Sequence, residues 1–119
     1  MIRLSELPLA PRDPETVADV VGALCGKWPI ERAVLFGSKA RGDDDPDSDI
    51  DLLLITAEEL DRSAEDVMQE EAWQAGMRHG RCVQLVVRSH ERWYHGIDQA
   101  TPLRLQIDAD GVEVFPDDR

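Results

Sequence analysis

The stretch that most constrains the fold is "DIDLLLI", Asp49 to Ile55. Its unbroken apolar run, Leu52 to Ile55, is too short for a helix and too continuous for a strand with one wet face. A strand buried on both faces satisfies it, which places it inside a sheet covered by helices. Immediately upstream lies "GSKARGDDDPDS", so six aspartates fall within the nine residues Asp43–Asp51. Negative charge is thus packed onto the rim of the core.

The elements on either side follow from local signals. Asp13 and Pro14 form an N-cap and first turn, and Val17, Val20, Val21, Leu24 and Trp28 recur at helical spacing. The helix is expected over residues 14–27, with Pro29 ending it. "ERAVLFG" reads as a strand that stops at Gly37. A long amphipathic helix is expected from about Glu58 to Met77, with Leu60, Ala64, Val67, Met68, Ala72 and Ala75 inward and Gly76 and Gly80 closing it. "RCVQLVV" is a third strand, Ser89 starts a helix, and Pro102 opens another carrying Leu103, Leu105 and Ile107. Asp110-Gly111 turns the chain into a short edge strand that ends at Pro116. The whole is an α/β domain: a small mixed sheet with helices packed mainly on one side. Residues 1–13 form an irregular lead-in, and residues 14–119 a single domain.

Charge and composition narrow the chemistry. Thirteen Lys and Arg against twenty-five Asp and Glu give a net charge of −12. That field repels phosphate backbones, so direct nucleic-acid binding is disfavoured, whereas cations and proteins with a basic face are suited. Cys25 and Cys82 lack C-x-x-C spacing and read as buried thiols. His79, His90 and His95 lack zinc-ligand spacing and are assigned surface or helix-end roles. No apolar run approaches the roughly 18 residues of a membrane span, and no signal peptide is evident, so a soluble cytoplasmic protein is expected.

Alternation along a strand puts Asp49 and Asp51 on one face while Ile50 points the other way. Two adjacent carboxylates repel each other unless a hard divalent cation, most simply Mg2+, joins them. Solvated loop-edge carboxylates are the bland alternative. Gly37 and Ser38, with Lys39 and Arg41 close by, offer backbone N–H groups, a hydroxyl and charge to an anion. An isolated Gly-Ser is more often only a turn, and the P-loop pattern is absent. One loop nevertheless joins the anion and cation candidates, as nucleotide–Mg2+ chemistry requires.

Gly37-Ser38, ten residues, then Asp49-Ile50-Asp51 resembles the DNA polymerase beta-like nucleotidyltransferase superfamily. "GSKARGDDDPDSDIDLLLI" is similar to its minimal form, the MNT domains of prokaryotes. The resemblance implies that Gly37 and Ser38 contact a triphosphate, from ATP or another nucleoside triphosphate, and that Asp49 and Asp51 hold Mg2+. It implies no fixed role for Asp43, Asp44, Asp45 or Asp47. It further implies a third carboxylate on the strand after the long helix, where this chain has Gln84. An amide is a weaker metal ligand and no general base. Other sources for the missing oxygen are a different strand register, Glu70 or Glu71 of the helix, or a partner chain.

Two functions are therefore expected in competition. One is an enzyme transferring AMP from ATP to a hydroxyl of a partner protein, the resemblance implying an antitoxin paired with a HEPN-domain RNase toxin. The other is a catalytically impaired binding module that neutralises a partner by complex formation. Exposed Trp93 and Tyr94 would be its anchors, unless they are core. Self-association is left open.

Overall fold

The computed structural model describes residues 2–3, 13–37 and 49–116. Five strands form one mixed sheet: β1 (Ile2–Arg3), β2 (Ile30–Phe36), β3 (Ile50–Thr56), β4 (Val83–Ser89) and β5 (Val112–Phe115), in the spatial order β1-β5-β2-β3-β4. The helices are α1 (Asp13–Cys25), α2 (Arg62–Met77), α3 (His90–His95) and α4 (Pro102–Asp110), with a 3-10 turn at Ile97–Ala100.

β3 lies between antiparallel β2 and parallel β4, and its apolar run is explained by burial on both sides. Ile50, Leu52 and Leu54 join a core with Val17, Val20, Leu24, Met68, Ala72 and Ala75, so α1 and α2 cover this face. Leu53 and Ile55 pack on the other face against Val34, Trp93 and Ile107 of β2, α3 and α4. The two long helices thus share one side, as expected, and the two short ones close part of the other.

Four expectations are corrected. β5 is not an edge strand: it pairs antiparallel with β2 and parallel with β1, in which Ile2 faces Val112. A two-residue strand carries no periodicity to announce it, so the lead-in gave no sign of this pairing. α2 starts at Arg62 rather than near Glu58, because the Asp61 carboxylate accepts from Ala64 N at 2.8 Å and caps the helix there. Val67 is exposed rather than inward, since it stands about 100° around the helix from Met68 on the buried stripe. Gly76 does not stop α2 but brings it against β4, where a Cβ would fall 2.6 Å from Val83 Cγ2.

Both cysteines are free thiols and only partly buried, and burial raises the pKa of Cys25. His79 pairs with Asp19, while His90 and His95 are the first and last residues of α3, the helix-end positions expected.

The turn that follows α1 is tied to α2 by Glu71, which accepts from Lys27 Nζ at 2.7 Å and from Trp28 Nε1 at 3.2 Å. The Lys27 bond, helped by the indole, holds the Glu71 carboxyl below its ordinary pKa. A depressed carboxyl contributes stability that is complete above its unfolded pKa and lost as pH falls through the folded one. Glu71→Gln is therefore expected to lower the neutral plateau of a melting-temperature profile slightly and to converge with the native chain at acid pH, so that its acid side is flatter. An unchanged acid slope would contradict this role.

Candidate functional site

The candidate carboxylates lie two residues apart in sequence at the start of β3. Asp49 is exposed just before β3, and Asp51, second in that strand, is partly buried. The two share the Leu53 and Ile55 side of the strand, and Ile50 between them is wholly buried in the opposite core. Asp51 stands between Phe36 of β2 and Gln84 of β4. The neighbouring strands put the backbones of Asp51 and Gln84 about 4.8 Å apart. Gln84 is exposed, and strand pairing directs it to the same face as Asp51, the register anticipated from the sequence.

Gly37 completes this corner. It follows β2 directly, is buried, and has a left-handed backbone with φ +78°. A Cβ there would lie 2.5 Å from Asp51 Oδ2, closer than any methyl group can sit. Glycine is thus required twice, by the backbone turn and by the closeness of the carboxylate. Ser38, Lys39 and Arg41, the remaining anion-site candidates, lie outside the described residues, as do Asp43, Asp44, Asp45 and Asp47.

The helix carboxylates do not complete the site. α2 lies on the Ile50–Leu52–Leu54 side of the sheet, whereas Asp51 and Gln84 face the other. Glu71 is held by Lys27 and Trp28, and Glu70 accepts from Gln74 on the exposed surface of α2. Among the described residues no group of three or more His, Cys, Asp or Glu side chains could hold a metal ion. The donor set is two carboxylates with an amide beside them. Two oxygen-rich anionic groups on one face fit a hard divalent cation that keeps waters or phosphate oxygens as its other ligands.

Two further readings of the sequence are settled by burial. Trp93 is wholly buried in the second core and Tyr94 is partly buried against it, so they are not a pair of surface anchors. The large apolar side chains that are exposed include Trp73 and Met77 of α2 and Leu105 of α4.

A concavity of ≈ 450 Å³ lies toward the opposite end of β2, lined by Glu31, Arg32, His90, Tyr94, His95 and Glu113. Its guanidinium is committed: Arg32 Nε donates to both Glu113 oxygens at 2.9 and 3.1 Å, and Nη1 donates to Tyr94 Oη at 3.2 Å. Arg32 is four residues from Phe36, roughly 13 Å along the strand, so this hollow is separate from the carboxylate corner.

Gln69 of α2 was not singled out by sequence reasoning. Its side-chain amide donates to Val83 O and accepts from Leu85 N, both at 2.9 Å, bracketing Gln84. A glutamine beside the buried stripe of an amphipathic helix carries no signal that it reaches a strand.

Residues 17–105, from α1 into α4 and including Gly37, Asp49, Asp51 and Gln84, match the family model described as a nucleotidyltransferase domain. No curated protein matches the chain. Among solved structures, one similar chain belongs to a toxin-antitoxin crystallised with AMP-PNP: TM-score 0.56, 18% identity, over 85% of this chain and 71% of that one. Another belongs to a tri-AMPylated HEPN toxin from Shewanella oneidensis in complex with an MNT antitoxin: TM-score 0.51, 20% identity, over 83% of this chain and 68% of that one. A mutant MntA-HpeT toxin-antitoxin gives TM-score 0.58 at 20% identity, over 83% and 71%. At these identities the likeness is one of fold.

Proposed function

Because the chain belongs to the nucleotidyltransferase domain family, we propose that it binds ATP with Mg2+ at the Gly37–Asp49–Asp51 corner and acts as an antitoxin on a HEPN-domain toxin. The carrying observation is at Gly37, whose backbone lies against the Asp51 carboxylate; continuing the alternation of β3 back by two residues puts Asp49 on the Asp51 face. Solved structures of similar fold containing AMP-PNP and an AMPylated HEPN toxin support this choice of nucleotide and partner.

Each residue has a defined task in the transfer. Asp49 and Asp51 would hold Mg2+, which when bound neutralises phosphate charge and polarises the phosphoryl group. Gly37 and Ser38 would present backbone N–H groups and a hydroxyl to the triphosphate, with Lys39 and Arg41 offsetting its charge. A hydroxyl oxygen of the partner attacks the α-phosphorus, the bond from that phosphorus to the β-bridging oxygen breaks, and pyrophosphate leaves. The hydroxyl proton must pass to a carboxylate or to water, because the Gln84 amide cannot accept it.

Gln84 favours a second reading. With an exposed amide beside Asp51, the corner can hold a nucleotide–Mg2+ complex yet activate a hydroxyl poorly. The protein would then neutralise its partner chiefly by forming a complex. Incubation with labelled ATP, Mg2+ and the partner separates the two readings. Label transfer abolished by Asp49→Ala supports the enzyme, and a stable complex without transfer supports the module. Gln84→Asp is expected to raise transfer by roughly 10- to 100-fold, the range over which support of a metal site changes activity. No gain in a folded variant that still binds nucleotide would remove Gln84 from the reacting corner.

A further inference from the structure

We infer that Gln69 is the positioning residue of this site, acting through Gln84, an inference that rests on the function proposed above. β4 is an edge strand of the sheet, so half of its backbone groups face away from β3. Val83 O and Leu85 N are two of these, and the Gln69 side chain binds both at 2.9 Å. One amide, donor and acceptor together, thus supplies what a sixth strand would supply at that point. The residue it spans is Gln84, the partner of Asp51 across the ladder.

A second contact fixes the same place. Gly76, two turns along α2 from Gln69, lets the helix lie directly on Val83. The start of β4 is therefore gripped from the helix on one side and by the β3 ladder on the other. Strand ends at an open edge ordinarily fray. Here the grip falls on the peptides that orient the side chain beside Asp51. Gln69 approaches from the α2 side and touches neither Asp49 nor Asp51 in the hydrogen bonds described, so its influence on the corner runs through the backbone at Gln84.

The division of labour makes this testable without knowing the acceptor. With AMP-PNP bound, the Asp49–Asp51 pair should hold one divalent ion in the native chain, and Gln84→Asp should create a place for a second. Mn2+ stoichiometry, read by electron paramagnetic resonance at saturating AMP-PNP, reports both. Adding Gln69→Leu to Gln84→Asp is expected to weaken the second ion by roughly tenfold or more and the first by less than about twofold, with folding verified by circular dichroism. Equal weakening at both ions, or no effect at the second, would overturn the inference while leaving the proposed function standing. A Gln84→Asp chain that takes one ion only would remove Gln84 from the corner and the inference with it. A native chain that takes no Mn2+ with AMP-PNP would overturn the proposed function itself.

Gln69→Glu, again with Gln84→Asp, covers the case in which the leucine variant does not fold. Ionised at about pH 8, the new carboxylate still accepts from Leu85 N but cannot donate to Val83 O. The second ion should then be held more weakly than in Gln84→Asp alone, with the first changed by less than about twofold. Unchanged second-ion affinity, or equal weakening of both ions, would contradict the positioning role.

Discussion

Gly37→Ala is expected to weaken nucleotide–Mg2+ binding by roughly 10- to 100-fold, the cost of misplacing a metal-site carboxylate. Two independent effects act in the same direction. The left-handed backbone at φ +78° is costly for any residue with a Cβ, by about 1–2 kcal/mol. The new methyl group would also stand 2.5 Å from Asp51 Oδ2, so the carboxylate must swing away or the chain after β2 must shift. Either movement separates the parts of the corner. Calorimetry would show the lost affinity, and thermal melting a moderate drop in a chain that still folds. An alanine variant with native affinity would mean that Gly37 does not brace the site.

Trp93→Ala is expected to cost about 3–5 kcal/mol of stability, the usual penalty for emptying a large aromatic site in a core. Domains of this kind have about 5–15 kcal/mol in total, so much of the fold's margin is at stake. Trp93 is wholly buried against Val34, Leu53, Ile55 and Ile107, and it joins α3 and α4 to the site-bearing face of the sheet. Arg104 of α4 lies over its ring, with Cζ 5.0 Å from the centroid, and donates from Nη1 to the Trp93 carbonyl at 2.8 Å. Removing the ring therefore loosens the guanidinium as well as the core. Trp93→Phe should cost much less, because the buried indole N–H has no hydrogen-bond partner among the described residues and its loss leaves no orphaned acceptor. Urea unfolding of the two variants measures the difference. Equal, small losses would contradict the packing described.

Much of this could be read from particular residues. The spacing of Val17, Val20, Val21 and Leu24 defined the buried face of α1, and all four are core. The run Leu52–Ile55 announced a strand buried on both sides, and its side chains divide between the two cores. Gln84 was located through the resemblance, which implies a third carboxylate on the strand after the long helix, and parallel pairing sets it opposite Asp51. Other features depend on tertiary pairing that no local pattern encodes. Ile2–Arg3 is a strand only because β5 lies beside it. Trp93 and Tyr94 are neighbours on one short helix, and the partners above Val34 and Leu53 decide which ring is buried. Gln69 looks like any polar residue beside a helical stripe until the edge of β4 is in place. The anion half of the site, Ser38, Lys39 and Arg41, rests on the motif alone.

We propose Asp49 and Asp51 as the cation half of a nucleotide site. Titrating AMP-PNP into the native chain and into the Asp49→Ala, Asp51→Ala double variant at millimolar Mg2+, followed by calorimetry, addresses it directly. The native chain should bind the nucleotide only when Mg2+ is present, and the double variant should bind roughly 100-fold more weakly or not at all. Equal binding by both chains, or none by the native chain, would contradict the account.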